Sequence, residues 1–326
     1  MKRWARLGQG LATLLIASCA WAAPAPSEGL IATPDGDLFY ERLGEGPPIV
    51  LMAGGPGASR VTLRPEFDRL AKKYSVIYFD NIGRGRSSAL PAGRHHSPER
   101  DVEDIERLRQ GLALGRITLI GHSYGGYAAL AYAARYPQQL ERLVISSGGH
   151  GVQSWQRAID SYNVFVENQY PEVWSKLLAL RAKGVKSCMP EYQELLRQAL
   201  GDMYWYDMAT ASKRKPFSTD SRDRFRLEVY CDMAGDESEI KVGGPMASFD
   251  ARPALATVQV PTWISVGRYD RITMPKVAYE IRDAFPPGVA QVRVFEKSGH
   301  HPWIEEPEAF FDELEQFLSP SVPARP

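Results

Sequence analysis

Six short stretches limit what this chain can fold into: "PPIVLMAG", "YSVIYFD", "RITLIGH", "RLVISSGG", "PTWISVG" and "VRVFEKSG". Each has an apolar run that does not alternate and that closes on glycine, aspartate or histidine. A strand wet on one face alternates in polarity, whereas a strand covered on both faces does not and belongs in a parallel sheet. Helical patterns separate the runs. In "SPERDVEDIERLRQGLAL", Ser97 is a helix cap, Pro98 takes the first helical position, and Val102, Ile105, Leu108 and Leu112 recur on one face. "YGGYAALAYAARY", "PKVAYEIRDAF" and "PEAFFDELEQFL" are the other helices. Strand and helix in alternation predict an α/β fold with a mostly parallel, doubly wound sheet. Ahead of it, "LIATPDGDLFYERLG" reads as two short strands around a Pro-Asp-Gly-Asp turn.

The alternation stops between residues 149 and 255. No buried strand is legible there, and the stretch holds helical, aromatic-rich pieces such as "WQRAIDSYNVFVENQYPEVWSKLLAL" and "EYQELLRQALGDMYWYDMA". An insertion of this kind between two strands predicts a helical cap over a core made of residues 23–148 and 256–326.

The first residues predict export. Lys2, Arg3 and Arg6 precede "LGQGLATLLIASCA", an apolar stretch too short to span a bilayer. Ala20 and Ala22 then offer an A-x-A cleavage pattern, so residues 1–22 are set apart as an export signal for a periplasmic or secreted protein. "IASC" also fits a lipoprotein cleavage box, which would leave Cys19 as a lipidated N-terminus. The 39 basic residues balance the 39 acidic ones, and removal of the signal leaves 36 basic, so the charge points away from nucleic acid. Of three cysteines, Cys19 is removed or lipidated, which leaves Cys188 and Cys231. In an oxidising compartment they read as a disulfide or as two buried thiols. Neither has a CxxC or nearby histidine partner, so no metal site is expected.

"ITLIGHSYGGYAAL" carries the chemistry. A Gly-x-Ser-x-Gly between strand and helix is a nucleophile elbow, in which Gly121 and Gly125 allow the close approach and Ser123 stands at the sheet's C-terminal edge. A serine hydroxyl needs a base and an orienting acid, and in this arrangement acid and base follow the serine in that order. "WISVGRYD" leads into Asp270 and "VRVFEKSGH" ends at His300. Ser123, Asp270 and His300 are therefore the candidate triad, preferred over His301 as base and over Asp80 as acid. His95, His96, His122 and His150 are read as surface or packing residues. The Tyr124 N–H and an N–H from Ala53-Gly54-Gly55-Pro56-Gly57, assigned to Gly55, form the candidate oxyanion hole. This chemistry requires no metal and no organic cofactor.

Together "AGGPG", "DNIGRGRSS", "GHSYGG", "VGRYD" and "SGHHPWIEEPEAF" resemble the proline iminopeptidase branch of the α/β-hydrolases. Ala53 stands where that family usually has histidine, and Tyr124 where it commonly has tryptophan. Asn81 and Ile82 stand where Gln and Arg are frequent. The resemblance implies an α/β-hydrolase fold and the triad and oxyanion donors named above. It implies a serine hydrolase that removes an N-terminal residue, proline among them, from short peptides, or that hydrolyses amino-acid amides and esters. "RFRLEVYCDM" is similar to a family cap segment and implies that Glu228 binds the substrate amine, with Asp232, Glu237 or Glu239 as a second carboxylate. The alternative is a carboxylesterase or lactonase with the same triad. A non-catalytic binding protein is a third reading, opposed by the intact Ser, Asp and His.

Overall fold

A computed structural model describes residues 27–214 and 217–319. The expected export segment, with Cys19, lies outside them. Among the described residues one eight-stranded sheet organises the chain. Its strands are β1 (Ser27–Thr33), β2 (Gly36–Leu43), β3 (Pro48–Met52), β4 (Ser75–Phe79), β5 (Ile117–His122), β6 (Leu140–Ser146), β7 (Thr262–Gly267) and β8 (Ala290–Phe295). The spatial order is β1-β2-β4-β3-β5-β6-β7-β8. β3 to β8 pair in parallel, and β1 and β2 form the expected antiparallel hairpin on one edge.

The unbroken apolar runs follow from burial on both faces. Successive side chains of a strand point to opposite sides. Ile49 and Leu51 of β3 enter one core with Phe67, Trp303, Phe310 and Phe311. Val50 and Met52 enter the other with Val102, Ile105, Leu119 and Leu130. Every residue of β4, β5 and β7 is buried. The helices that cover the sheet begin and end as the sequence indicates. In α1 (Pro98–Gly111) the Ser97 hydroxyl accepts from Arg100 N at 3.3 Å, and Val102, Ile105 and Leu108 are buried. α2 (Tyr124–Arg135) follows β5 directly.

Between β6 and β7 the chain is helical: α3 (Val152–Gln169), α4 (Pro171–Ala182), α5 (Pro190–Leu200), α6 (Met208–Lys213), α7 (Leu227–Ala234) and α8 (Arg252–Leu255). α9 (Pro275–Ala284), α10 (Pro302–Glu305) and α11 (Pro307–Leu318) complete the fold. The inserted helices have a small core of their own, Val166, Leu177, Tyr192, Leu196 and Ala199. The insertion leaves and rejoins the sheet at a neck where Gly151 bridges Asp250. There Val152 N donates to Phe249 O at 2.8 Å and Ala251 N to His150 O at 2.8 Å. Cys188 and Cys231 form a disulfide that ties the turn before α5 to α7 across 43 residues. Closing a loop of that length removes about 4 kcal/mol of unfolded-chain entropy. Among the described residues no helix is long and apolar enough to cross a membrane.

Candidate active site

The elbow is built by sterics. Ser123 sits between β5 and α2 at φ 52° and ψ −119°, a backbone conformation that a non-glycine residue adopts only when its surroundings enforce it. A Cβ on Gly121 would lie 2.3 Å from the Gly125 carbonyl oxygen, and one on Gly125 would lie 2.4 Å from the Met52 carbonyl oxygen. Only hydrogen fits at either position, so the spacing of the two glycines is what lets α2 start against β3.

Asp270 follows β7 and is buried. Its Oδ1 accepts from the Ile272 and Thr273 N–H groups at 2.8 Å each, and its Oδ2 accepts from the Thr273 hydroxyl at 2.8 Å. Oδ2 also lies 2.9 Å from Nδ1 of His300. Burial alone would raise this carboxyl, but the His300 imidazole and the Thr273 donors outweigh it and hold Asp270 at about 2. His300 is buried after β8, with its N–H on the Tyr204 carbonyl at 2.8 Å. Its Nε2 has no hydrogen-bond partner among the described residues. An imidazole anchored at Nδ1 by a carboxylate and open at Nε2 is what a general base requires. The His122 ring packs 4.8 Å from His300, and burial and its histidine neighbours push its own pKa far down.

Ser123, Gly55 and Tyr124 line one cavity of about 110 Å³ together with Thr273, the residue that bonds Asp270. Among the described residues neither the Gly55 nor the Tyr124 N–H donates to another protein group. Gly55 has φ +69°, and a Cβ there would meet the Phe225 ring at 3.0 Å. The rest of the wall is aromatic and comes largely from the insertion: Trp155 and Tyr162 on α3, Tyr204, and Tyr230 on α7.

The rival residues have other work. Asp80 is buried and accepts from Arg60 N at 2.8 Å, Arg60 Nη1 at 2.8 Å and Arg86 N at 2.9 Å, so it braces loops below the site. His301 is packed between Trp205 and Trp303, with ring centroids at 4.6 and 5.3 Å. Asp232 binds His95 and His96, and Glu237 pairs with Lys186 at 2.7 Å. His150 is buried against Glu280.

Glu228 requires a correction. It lies in the first turn of α7 with its side chain 65% exposed and Arg226 at 3.6 Å, and it does not line the Ser123 cavity. The short α7 turns its apolar positions, Val229 and Met233, inward, so position 228 faces out. Glu239 is the carboxylate that the fold buries. Its side chain accepts from the Tyr162 hydroxyl, from Gln193 Nε2 at 2.9 Å and from Tyr230. Burial raises its pKa above the usual carboxylate range, outweighing the neutral donors around it and the charge of Arg181. It lines a second cavity of about 380 Å³ that shares Tyr162, Tyr204 and Tyr230 with the first. These tyrosines carry no local sequence signal. Among the described residues no cluster of histidine, cysteine, aspartate and glutamate is arranged to hold a metal ion.

Comparison with known proteins agrees with this architecture. The sequence pattern of the alpha/beta hydrolase fold matches residues 47–307. The chain is 27% identical to a proline iminopeptidase of Saccharolobus solfataricus over 86% of its own length and 87% of the relative's. It is 26% identical to a proline iminopeptidase of Heyndrickxia coagulans over 90% and 99%. In fold it superposes on a proline iminopeptidase of Mycobacterium smegmatis with a TM-score of 0.71 at 21% identity, covering 90% of this chain and 97% of the other. The chain therefore belongs to the alpha/beta hydrolase fold family.

Proposed function

We propose that the protein is a serine aminopeptidase acting on short peptides or amino-acid amides with a free N-terminus. Ser123 is the nucleophile, and His300 Nε2 takes its proton and returns it to the leaving amine. Asp270, held at about 2 and therefore ionised, fixes the imidazole by Nδ1 and stabilises it when charged. The Gly55 and Tyr124 N–H groups receive the oxyanion, and water then releases the acyl group through the same base.

The observation that carries the aminopeptidase reading is the position of Glu239. An ester or lactone substrate offers nothing for a buried carboxylate beyond the tyrosine wall. A substrate α-ammonium group does, since a desolvated charge pair with hydrogen bonds is the strong kind of contact. Glu239 forms no ion pair among the described residues, and Arg181, whose charge acts on it, bonds Tyr192 and Asn163 instead, so a close cationic partner can come with the substrate. The insertion acts as the cap, and its aromatic wall bounds the acyl side chain. Export through residues 1–22, with or without lipidation at Cys19, belongs to the same proposal. An oxidising destination suits the Cys188–Cys231 pair.

The test compares proline, alanine and phenylalanine arylamides with their N-acetyl forms and with short acyl p-nitrophenyl esters, using Ser123→Ala as the blank. Arylamide turnover that vanishes on N-acetylation is expected. Ester turnover without arylamide turnover would keep the triad and transfer the reading to a carboxylesterase or lactonase.

A further inference from the structure

Beside the triad lies a buried ion pair that the reaction as described leaves unused. Arg84, in the loop after β4, is 2% exposed, and Asp101, in the first turn of α1, is 1% exposed. The two form a bidentate pair, Nη1 to Oδ1 at 2.6 Å and Nη2 to Oδ2 at 3.0 Å. Burying two charges is costly, and such pairs persist where geometry matters. Each partner of this pair reaches a further oxygen, and Arg84 Nη2 also lies 3.3 Å from Met233 Sδ. Asp101 Oδ2 accepts from the Tyr124 hydroxyl at 2.5 Å. Arg84 Nε donates to the Pro56 carbonyl oxygen.

Those two groups flank the two backbone donors of the site. Tyr124 supplies one oxyanion N–H from its own backbone, and its side chain is fastened to Asp101. Pro56 follows Gly55, which supplies the other N–H, and its carbonyl is fastened to Arg84. We infer that the Arg84–Asp101 pair is a positioning element that holds the Gly55 and Tyr124 N–H groups in mutual register across the Ser123 cavity. The inference rests on the reading of those N–H groups as the oxyanion hole. A guanidinium is suited to the task because its planar fork fills a carboxylate while the third nitrogen serves a carbonyl. The loop needs such a hold. Besides the Ala58 N–H on the Gly55 carbonyl at 3.0 Å, it is fastened by Arg226 N to Gly57 O at 2.8 Å, a bond that belongs to the insertion and not to the core.

Tyr124→Phe is the sharpest probe, since it removes one oxygen and keeps the ring and the backbone N–H. Loss of one oxyanion donor costs about 10²- to 10³-fold in kcat, so displacement of a donor should cost about 10-fold. We expect that loss in kcat with KM within about twofold, and an equal loss in the rate at which a fluorophosphonate labels Ser123. Inhibition by the free product amino acid, which forms no oxyanion, should be unchanged. Arg84→Lys keeps the charge but loses the fork, and should behave alike. The double variant should lose little more than either single one, because both act through one unit. Additive losses, a loss expressed in KM, or full activity of Tyr124→Phe would overturn the inference while inactive Ser123→Ala keeps the triad reading intact. Turnover by Ser123→Ala would remove that reading and the inference with it.

Discussion

Asp270 and Glu239 are both buried carboxylates, one at the edge of the sheet and one inside the insertion, and their surroundings push them in opposite directions. Around Asp270 the groups are an imidazole that can become a cation, two backbone N–H groups and a hydroxyl, and the carboxyl is held at about 2. Around Glu239 they are two phenols and an amide, burial dominates, and its pKa rises. Burial alone therefore does not decide the charge of a carboxylate. Its balance against the neighbouring donors and charges does, and at Asp80 burial prevails and raises the pKa even with Arg60 Nη1 at 2.8 Å. Asp270 has a neighbour that can carry the opposite charge built in, with His300 Nδ1 2.9 Å from its Oδ2. Glu239 has only neutral hydrogen-bond donors, and the charge of Arg181 lowers its pKa less than burial raises it.

The comparison breaks most visibly at Asp270. Asp270→Asn should lower kcat on arylamides about 10⁴-fold at neutral pH with the fold intact, by loss of the imidazole orientation. A loss under tenfold would mean that His300 does not depend on its partner. A further carboxylate sharpens the rule. Asp104 is buried with Asp101 beside it, and burial followed by that like charge lifts it to about 7. The folded protein then holds a proton that the unfolded chain gives up above about 4, so stability should fall as pH rises from about 4 to about 7. Asp104→Asn should match the parent protein near pH 4 and gain on it up to pH 8, by on the order of 4 kcal/mol in urea unfolding. A gap that ignores pH would refute this. The smallest effect concerns Glu239. Glu239→Gln should lower kcat/KM for free-amine substrates about 10²-fold, as expected for one charge-assisted contact, and leave N-acetylated substrates within about twofold. Glu228→Gln, an exposed control, should leave both within about twofold. Equal losses on both substrate classes in Glu239→Gln would assign it to packing.

What was legible in the sequence was local. The strands announced themselves by unbroken apolar runs because both faces of each are covered, and Ser123 by glycines that only hydrogen can replace. Asp270 and His300 followed because strands of one direction deliver their ends to one edge. Glu239 was legible only as one of several acidic residues. Its setting is assembled from Tyr162 and Gln193, which stand 77 and 46 positions away, and from Ser187, whose hydroxyl accepts its N–H at 3.1 Å. No window of sequence contains that information. Glu228 misled for the complementary reason. Its neighbours resemble a binding segment, but a helix of two turns shows only one face to the interior, and position 228 is on the other. The Arg84–Asp101–Tyr124 link is illegible for a similar reason, since a charged pair in a sequence does not announce its burial.

The neck at Gly151 and Asp250 has a consequence for the history of such a chain. The residues that supply most of the aromatic wall of the Ser123 cavity depart and return between two backbone hydrogen bonds, while β6 and β7 remain paired from Leu143 and Thr262 to Ser146 and Ser265. The catalytic edge nonetheless registers what is spliced in at that point, because Tyr204 of the insertion accepts the His300 N–H at 2.8 Å and Arg226 donates to Gly57 at 2.8 Å. A duplicated gene, or a designer, could trade the helical segment for another at the same two residues and alter its diet, provided that the newcomer again offers a carbonyl to His300 and a donor to Gly57.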